Sequence, residues 1–144
     1  MIKNERAYWI TKAQALKFRA STHQLRHSKR PKDIHPRLWE AQRAGMEGQL
    51  ADLEKEVREY ERLRSGKRKV IELDSLDALP LALIQARIAA GLTQEDLATR
   101  LGVKAQQIQR YEATEYRTAS FDRIREMVRA LGVRIRGRVE LAHR

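Results

Sequence analysis

Apolar positions recur at three- and four-residue steps over most of this chain, and the breaks between those runs set the element boundaries. Ile10, Ala13, Leu16 and Ala20 give a first, modest stripe. Thr11 and Gln14 fit a capping box, in which hydroxyl and amide satisfy reciprocal backbone N–H groups, and Asn4 is a competing start one or two turns earlier. The charged stretch from Ser28 to Pro36 contains Pro31 and Pro36 and breaks the pattern, with Pro36 suited to the first turn of the next helix. From Arg37 to Arg64 the periodicity is much stronger. Trp39, Met46, Leu50, Leu53, Val57 and Tyr60 follow the alternating spacing of a coiled-coil seam, interrupted by Arg43 and Arg64. Glu54 with Arg58 and Lys55 with Glu59 support the exposed face as i,i+4 pairs. This second helix either folds back on the first as a hairpin or pairs with its copy in a dimer, and the pattern leaves both open.

Gly66 is placed to end that helix. Beyond it the period changes. Lys69-Val70-Ile71-Glu72-Leu73 reads as a short strand, and Val133, Ile135, Val139 and Leu141 alternate with Arg134, Arg136, Arg138 and Glu140 as a second one. Between them lie four short helical runs. Leu79, Leu83, Ala86 and Ala90 share a face that ends at Gly91; Thr93 caps a helix from Gln94 to Leu101 that Gly102 stops. A third run extends from Lys104 to about Thr114, and Ser120 caps a fourth that reaches Leu131 before Gly132. The chain therefore divides into a helical hairpin or coiled-coil region over 1–66, for dimerisation or partner binding, and a helical domain with flanking strands over 67–144.

Charge narrows the class of partner. The 144 residues carry a formal net charge of +11. Such an excess attracts polyanions, with nucleic acid first, an anionic membrane surface second and an acidic protein third. Residues 79–144 hold twelve Lys or Arg against seven Asp or Glu, so both regions are basic and the N-terminal one can add nonspecific phosphate contacts. The longest apolar stretch, Ala78 to Ala90, is cut by Pro80, Gln85 and Arg87 and is too short and polar to span a membrane. The N-terminus lacks the apolar core of a signal peptide, so the expected location is cytoplasmic, on the nucleoid when DNA is bound. With no cysteine there is neither a disulfide framework nor a thiolate site. His23 and His27 share a helix face, but His35 lies beyond Pro31 and no carboxylate completes a ligand set, so no metal and no cofactor is expected. No phosphate-binding glycine loop, triad or apolar carboxylate pair points to an enzyme.

Two short helices joined by a turn at Gly102 are the parts of a helix-turn-helix. Ala98 is small where the helices must approach, and Val103, Ile108 and Tyr111 are positioned to lock the second helix onto a core. At 100° per residue, Gln106, Gln109 and Arg110 then face outward. Glutamine pairs with adenine N6 and N7, and arginine with guanine O6 and N7. Gln94 and Lys104, each opening a helix, suit backbone phosphates.

The run Gly91-Leu92-Thr93-Gln94-Glu95-Asp96-Leu97-Ala98-Thr99-Arg100-Leu101-Gly102-Val103 resembles the core of the Xre/Cro/cI helix-turn-helix family, and the likeness continues through Ile108, Tyr111-Glu112 and Ala130-Leu131-Gly132-Val133. The resemblance implies a five-helix bundle, dimeric binding of double-stranded DNA at a palindromic operator, and transcriptional control. The fold class expected is thus mostly α, a five-helix Cro/repressor-like bundle flanked by two short β-strands and preceded by a two-helix region. The resemblance assigns base reading to Ala105, Gln106, Gln107 and Arg110, beside the outward Gln109. Two departures stand out. Lys104 replaces the usual Ser or Thr that opens the recognition helix, and Ala113-Thr114-Glu115-Tyr116-Arg117 replaces a glycine turn. Tyr116, Arg117 and Thr118 are the phosphate-contact candidates of that loop, with Glu112 and Glu115 required to face away from the duplex. The layout also resembles small bacterial regulators, antitoxins of toxin–antitoxin pairs among them, which implies a toxin-binding role for residues 1–66 as the alternative to a simple homodimeric repressor.

Overall fold

The computed structural model of this chain describes residues 1–142. Its helices are α1 (Glu5–His27), α2 (Pro36–Arg64), α3 (Leu79–Ala89), α4 (Gln94–Leu101), α5 (Ala105–Ala113) and α6 (Phe121–Leu131), with a 3-10 turn at Leu76–Ala78 ahead of α3. Contacts divide the chain after Arg62 into two compact units.

The first unit is an antiparallel hairpin. Asn4, not Thr11, opens α1: its Oδ1 accepts from the Ala7 N–H at 2.8 Å, which leaves Thr11 inside the helix. Ile34 N–H bonds to the Pro31 carbonyl, and Pro36 begins α2. The return direction is fixed by ion pairs that climb one helix while descending the other: Lys12 to Glu61, Arg19 to Glu54 and Arg26 to Glu47. Tyr8 stacks on Tyr60 at 5.1 Å and packs edge-on against Trp9. Tyr8, Ala15 and Thr22, seven residues apart, are the buried line of α1. On α2 only Tyr60 of the heptad positions is fully buried, whereas Trp39, Met46, Leu50, Leu53 and Val57 are half-buried.

The second unit is the helical bundle of α3 to α6. Each helix contributes fully buried apolar side chains: Leu83 and Ile84 from α3, Leu97 from α4, Ile108 from α5 and Met127 from α6. At about 1.5–3 kcal/mol for each such side chain, this shared core is what holds the four helices together. Ala98 of α4 is 2 % exposed, so a longer side chain there has no room to enter. The ends of α3, α4, α5 and α6 share one device, a bond from the N–H five residues on to a last-turn carbonyl: Leu92 to Arg87, Val103 to Ala98, Tyr116 to Tyr111 and Val133 to Val128. The motif needs one left-handed residue, supplied by Gly91, Gly102 and Gly132 at three ends and by Glu115, φ 50°, at the fourth.

The two predicted strands do not form. No β-strand is present among the described residues, and 69–73 and 133–141 are irregular. Alternation describes a strand with one covered face, and here nothing covers it: Val70 is 67 %, Val139 89 % and Leu141 84 % exposed. Without a ladder partner the backbone N–H groups are better satisfied by water. The bundle itself has four α-helices and the 3-10 turn where the resemblance implied five helices, because the chain after Gly132 changes from helical spacing to alternation. No single helix among the described residues is long and apolar enough to cross a membrane.

Within the hairpin, the Tyr8 hydroxyl donates to Glu61 Oε1 at 2.6 Å, and Lys12 Nζ donates to both, at 2.6 Å and 3.0 Å. The Tyr8 hydroxyl, then Lys12, holds the Glu61 carboxyl below its ordinary 4.5, and the Tyr8 hydroxyl, then Glu61, raises Lys12 above its ordinary 10.5. A depressed carboxyl stabilises above its unfolded value and loses that contribution as pH falls through the folded one; the raised ammonium does the reverse in alkali. Tyr8→Phe should therefore lower stability near neutral pH, since the ionised carboxylate loses its first partner. It should also return the Glu61 carboxyl toward 4.5 in an NMR titration. An unmoved titration would show that the hydroxyl does not hold the carboxylate.

Candidate nucleic-acid interface

Helix α5 has two unlike faces. Ile108 and Glu112 are fully buried and Tyr111 is half-buried, while Lys104, Gln106, Gln109 and Arg110 are exposed and Ala105 and Gln107 lie between. The outward set is thus polar amides, a methyl and two cations, with the acidic residue of the helix turned to the inside. Gln107 differs from its neighbours in that its Nε2 donates to the Tyr111 hydroxyl at 2.9 Å, one turn along. Lys104 occupies the N-cap with extended backbone and no side-chain cap bond, and its side chain is exposed at the positive end of the helix dipole.

Behind α5 lies a polar cluster that the sequence pattern did not disclose. Arg87 of α3 and Glu112 of α5 form a two-pronged ion pair, Nε to Oε1 at 2.6 Å and Nη2 to Oε2 at 2.8 Å, with Arg87 at 2 % and Glu112 at 0 % exposure. Arg87 Nη1 also donates to the Leu92 carbonyl at 2.8 Å, and Gln94 Nε2 donates to Glu112 Oε2 at 2.7 Å. A single carboxylate thereby joins α3, the start of α4 and the end of α5. Bidentate geometry and the two further bonds offset the cost of removing both charges from water. The signal for this pair was the interruption of the apolar run by Arg87: a cation inside a core helix requires a buried anion.

This cluster changes the reading of Gln94. Its side chain is committed inward and 8 % exposed, so what α4 offers a phosphate is its first backbone N–H groups. Thr93 and Asp96 close a reciprocal capping box at that end, and the Thr93 bonds hold the Asp96 carboxyl below its ordinary 3.8. Tyr116 is likewise inward, 3 % exposed, its ring parallel to Tyr111 at 6.3 Å. Burial first, then the nearby Glu112 carboxylate, pushes its phenol well above the ordinary 10.0. Its hydroxyl has no hydrogen-bond partner among the described residues. Of the loop candidates, Arg117 and Thr118 remain on the surface, Thr118 with its Oγ1 3.4 Å from that of Thr114. Glu115, exposed, turns in the left-handed conformation that glycine adopts freely.

His23 and His27 stand 4.5 Å apart by ring centroids, and among the described residues no group of three potential donors surrounds a metal position.

Residues 83–137 match the family model described as helix-turn-helix. No curated protein and no solved structure matches the chain.

Removing one partner of the buried pair leaves the other uncompensated. Glu112→Ala is expected to cost about 3–5 kcal/mol in chemical denaturation. A loss below about 1 kcal/mol would mean that the cluster does not organise the bundle. Glu115→Gly should raise stability by up to about 1 kcal/mol, since it relieves the left-handed backbone without removing a core contact; a clear loss would show that the Glu115 side chain contributes more than its strain.

Proposed function

We propose, from the premise that residues 83–137 belong to the Xre/Cro/cI-type helix-turn-helix family, that this DNA-binding transcription regulator is a dimeric repressor that reads the major groove with α5. One observation carries the reading: Gln106, Gln109 and Arg110 are exposed on a helix whose opposite face is fixed by Ile108 and Glu112. A reading helix must present its side chains in one orientation, and a helix tied at its back by both apolar packing and a buried ion pair cannot roll. Gln106 and Arg110, four residues apart, lie on neighbouring turns and address successive base pairs. Ala105 offers a methyl to a thymine, and Gln107, steadied by Tyr111, adds a further amide. Lys104, Arg117, Thr118 and the first amides of α4 hold the flanking phosphates. In a symmetric dimer, two such helices enter half-sites centred about 34 Å apart.

The hairpin over 1–66 supplies the dimer contacts in this reading. A second reading, an antitoxin whose hairpin engages a toxin while the bundle represses the operon, is favoured by one observation. Trp9, Ile10 and Leu16 are 58 %, 51 % and 59 % exposed on α1, more apolar surface than a solvated helix needs.

Selection from a random duplex pool returns the operator and its symmetry. On that operator, Gln106→Ala with Arg110→Ala should lose about 1–3 kcal/mol of discrimination per contact while retaining salt-sensitive nonspecific binding. Operator preference equal to that of the parent protein would reject α5 as the reading element.

A further inference from the structure

Beyond α6 the chain carries a feature that the reading helix does not use. Between Glu126 and Glu140 there is no acidic residue, while Arg129, Arg134, Arg136 and Arg138 all fall in that interval. Arg134, Arg136 and Arg138 are exposed, belong to no helix or strand, and make no ion pair among the described residues. The apolar residues between them are exposed as well, Ile135 at 46 % and Val139 at 89 %, so the segment is not held by packing. Its root, however, is fixed. Gly132 closes α6 in the left-handed conformation, and two residues earlier the Ala130 carbonyl accepts from Arg100 Nη1 at 3.0 Å. Arg100 lies in the last turn of α4, immediately before the Gly102 turn and Lys104 that lead into α5. The segment therefore leaves the bundle at the end where the reading helix starts.

We infer that residues 133–138 form a C-terminal basic arm that binds the DNA phosphate backbone beside the groove occupied by α5, an inference that rests on the DNA-binding reading above. Three cations at every second position span at most about 13 Å from first to last when the chain is extended. Phosphates on one strand rise about 3.4 Å per step along the helix axis and lie farther apart along the backbone, so this reach suits one phosphate per arginine. Arginine forks suit phosphate oxygens, and Gly137, with nothing within 4 Å of its Cβ position, leaves the backbone free to follow the strand. Because phosphates are the same in every sequence, the arm adds affinity and salt dependence without selectivity.

The test uses the full chain with Arg134, Arg136 and Arg138 all changed to Gln, and a second variant with all three changed to Lys. Binding is measured by fluorescence anisotropy between 50 and 200 mM KCl, on the selected operator duplex and on a scrambled duplex of equal length. The expected result for the Gln variant is a fall in the slope of log K against log salt by up to about 2.7 per bound protomer, equal on both duplexes, with the Lys variant close to the parent. The ratio of affinities for the two duplexes should not change. An unaltered slope would overturn the arm, as would an altered ratio, and an arm reserved for an acidic protein gives the unaltered slope. Failure of the α5 reading is seen separately, as an operator preference that survives the Gln106 and Arg110 changes while the arm's slope effect persists. Circular dichroism melting curves should superimpose, since the three side chains are exposed and lie outside the helices.

Discussion

One buried carboxylate organises the C-terminal bundle. Glu112 meets Arg87 through two bonds and Gln94 through a third, and Arg87 in turn holds the Leu92 carbonyl. Removing an isolated charge of this kind from water costs several kcal/mol, so the arrangement persists only because every prong is matched. That requirement is directional where apolar packing is not. Ile108 could tolerate small rolls of α5 against α4, but the two-pronged pair to α3 tolerates few. The face opposite Glu112 is therefore held in one orientation, and it is the face that carries Gln106, Gln109 and Arg110.

The hairpin is stabilised differently. Its helices are joined by pairs that are largely in solvent, Arg19 with Glu54 and Arg26 with Glu47 among them, each worth about 0–1 kcal/mol. Its apolar seam is mostly half-buried, and the fully buried side chains of α1 and α2 among the described residues are Tyr8, Ala15, Thr22, Tyr60 and Leu63. Two helices cannot enclose a seam as four can. Such a unit is suited to being completed by another surface, which agrees with the exposed Trp9, Ile10 and Leu16 and with a role in association.

Affinity and selectivity separate along the same lines. A net charge of +11 supplies long-range attraction to any duplex. Selectivity has to come from the few uncharged and charged forks that reach base edges. In the proposed reading, Lys104, Arg117 and the arginines after Gly132 belong to the first group, and the amides of α5 with Arg110 to the second. The amides are few, so their orientation matters more than their number.

The helices were legible because their signals are local. Thr93, Ser120, Gly91, Gly102 and Gly132 mark ends by properties of single residues, and the spacing of Ile108 and Tyr111 gives the inner face of α5 directly. The pattern leaves the choice of Asn4 over Thr11 open, and the absence of both strands and the inward turns of Gln94 and Tyr116 were not legible. The strands and Gln94 depend on partners distant in sequence: a strand exists only if another lies beside it, and the Gln94 amide turns inward because Glu112 awaits it across eighteen residues. The sequence by itself determined which segments are helical and which face of α5 is polar. Tertiary structure decided which charges are buried and which segments stay unpaired, because those outcomes are settled by the desolvation of groups that meet only once the chain has folded.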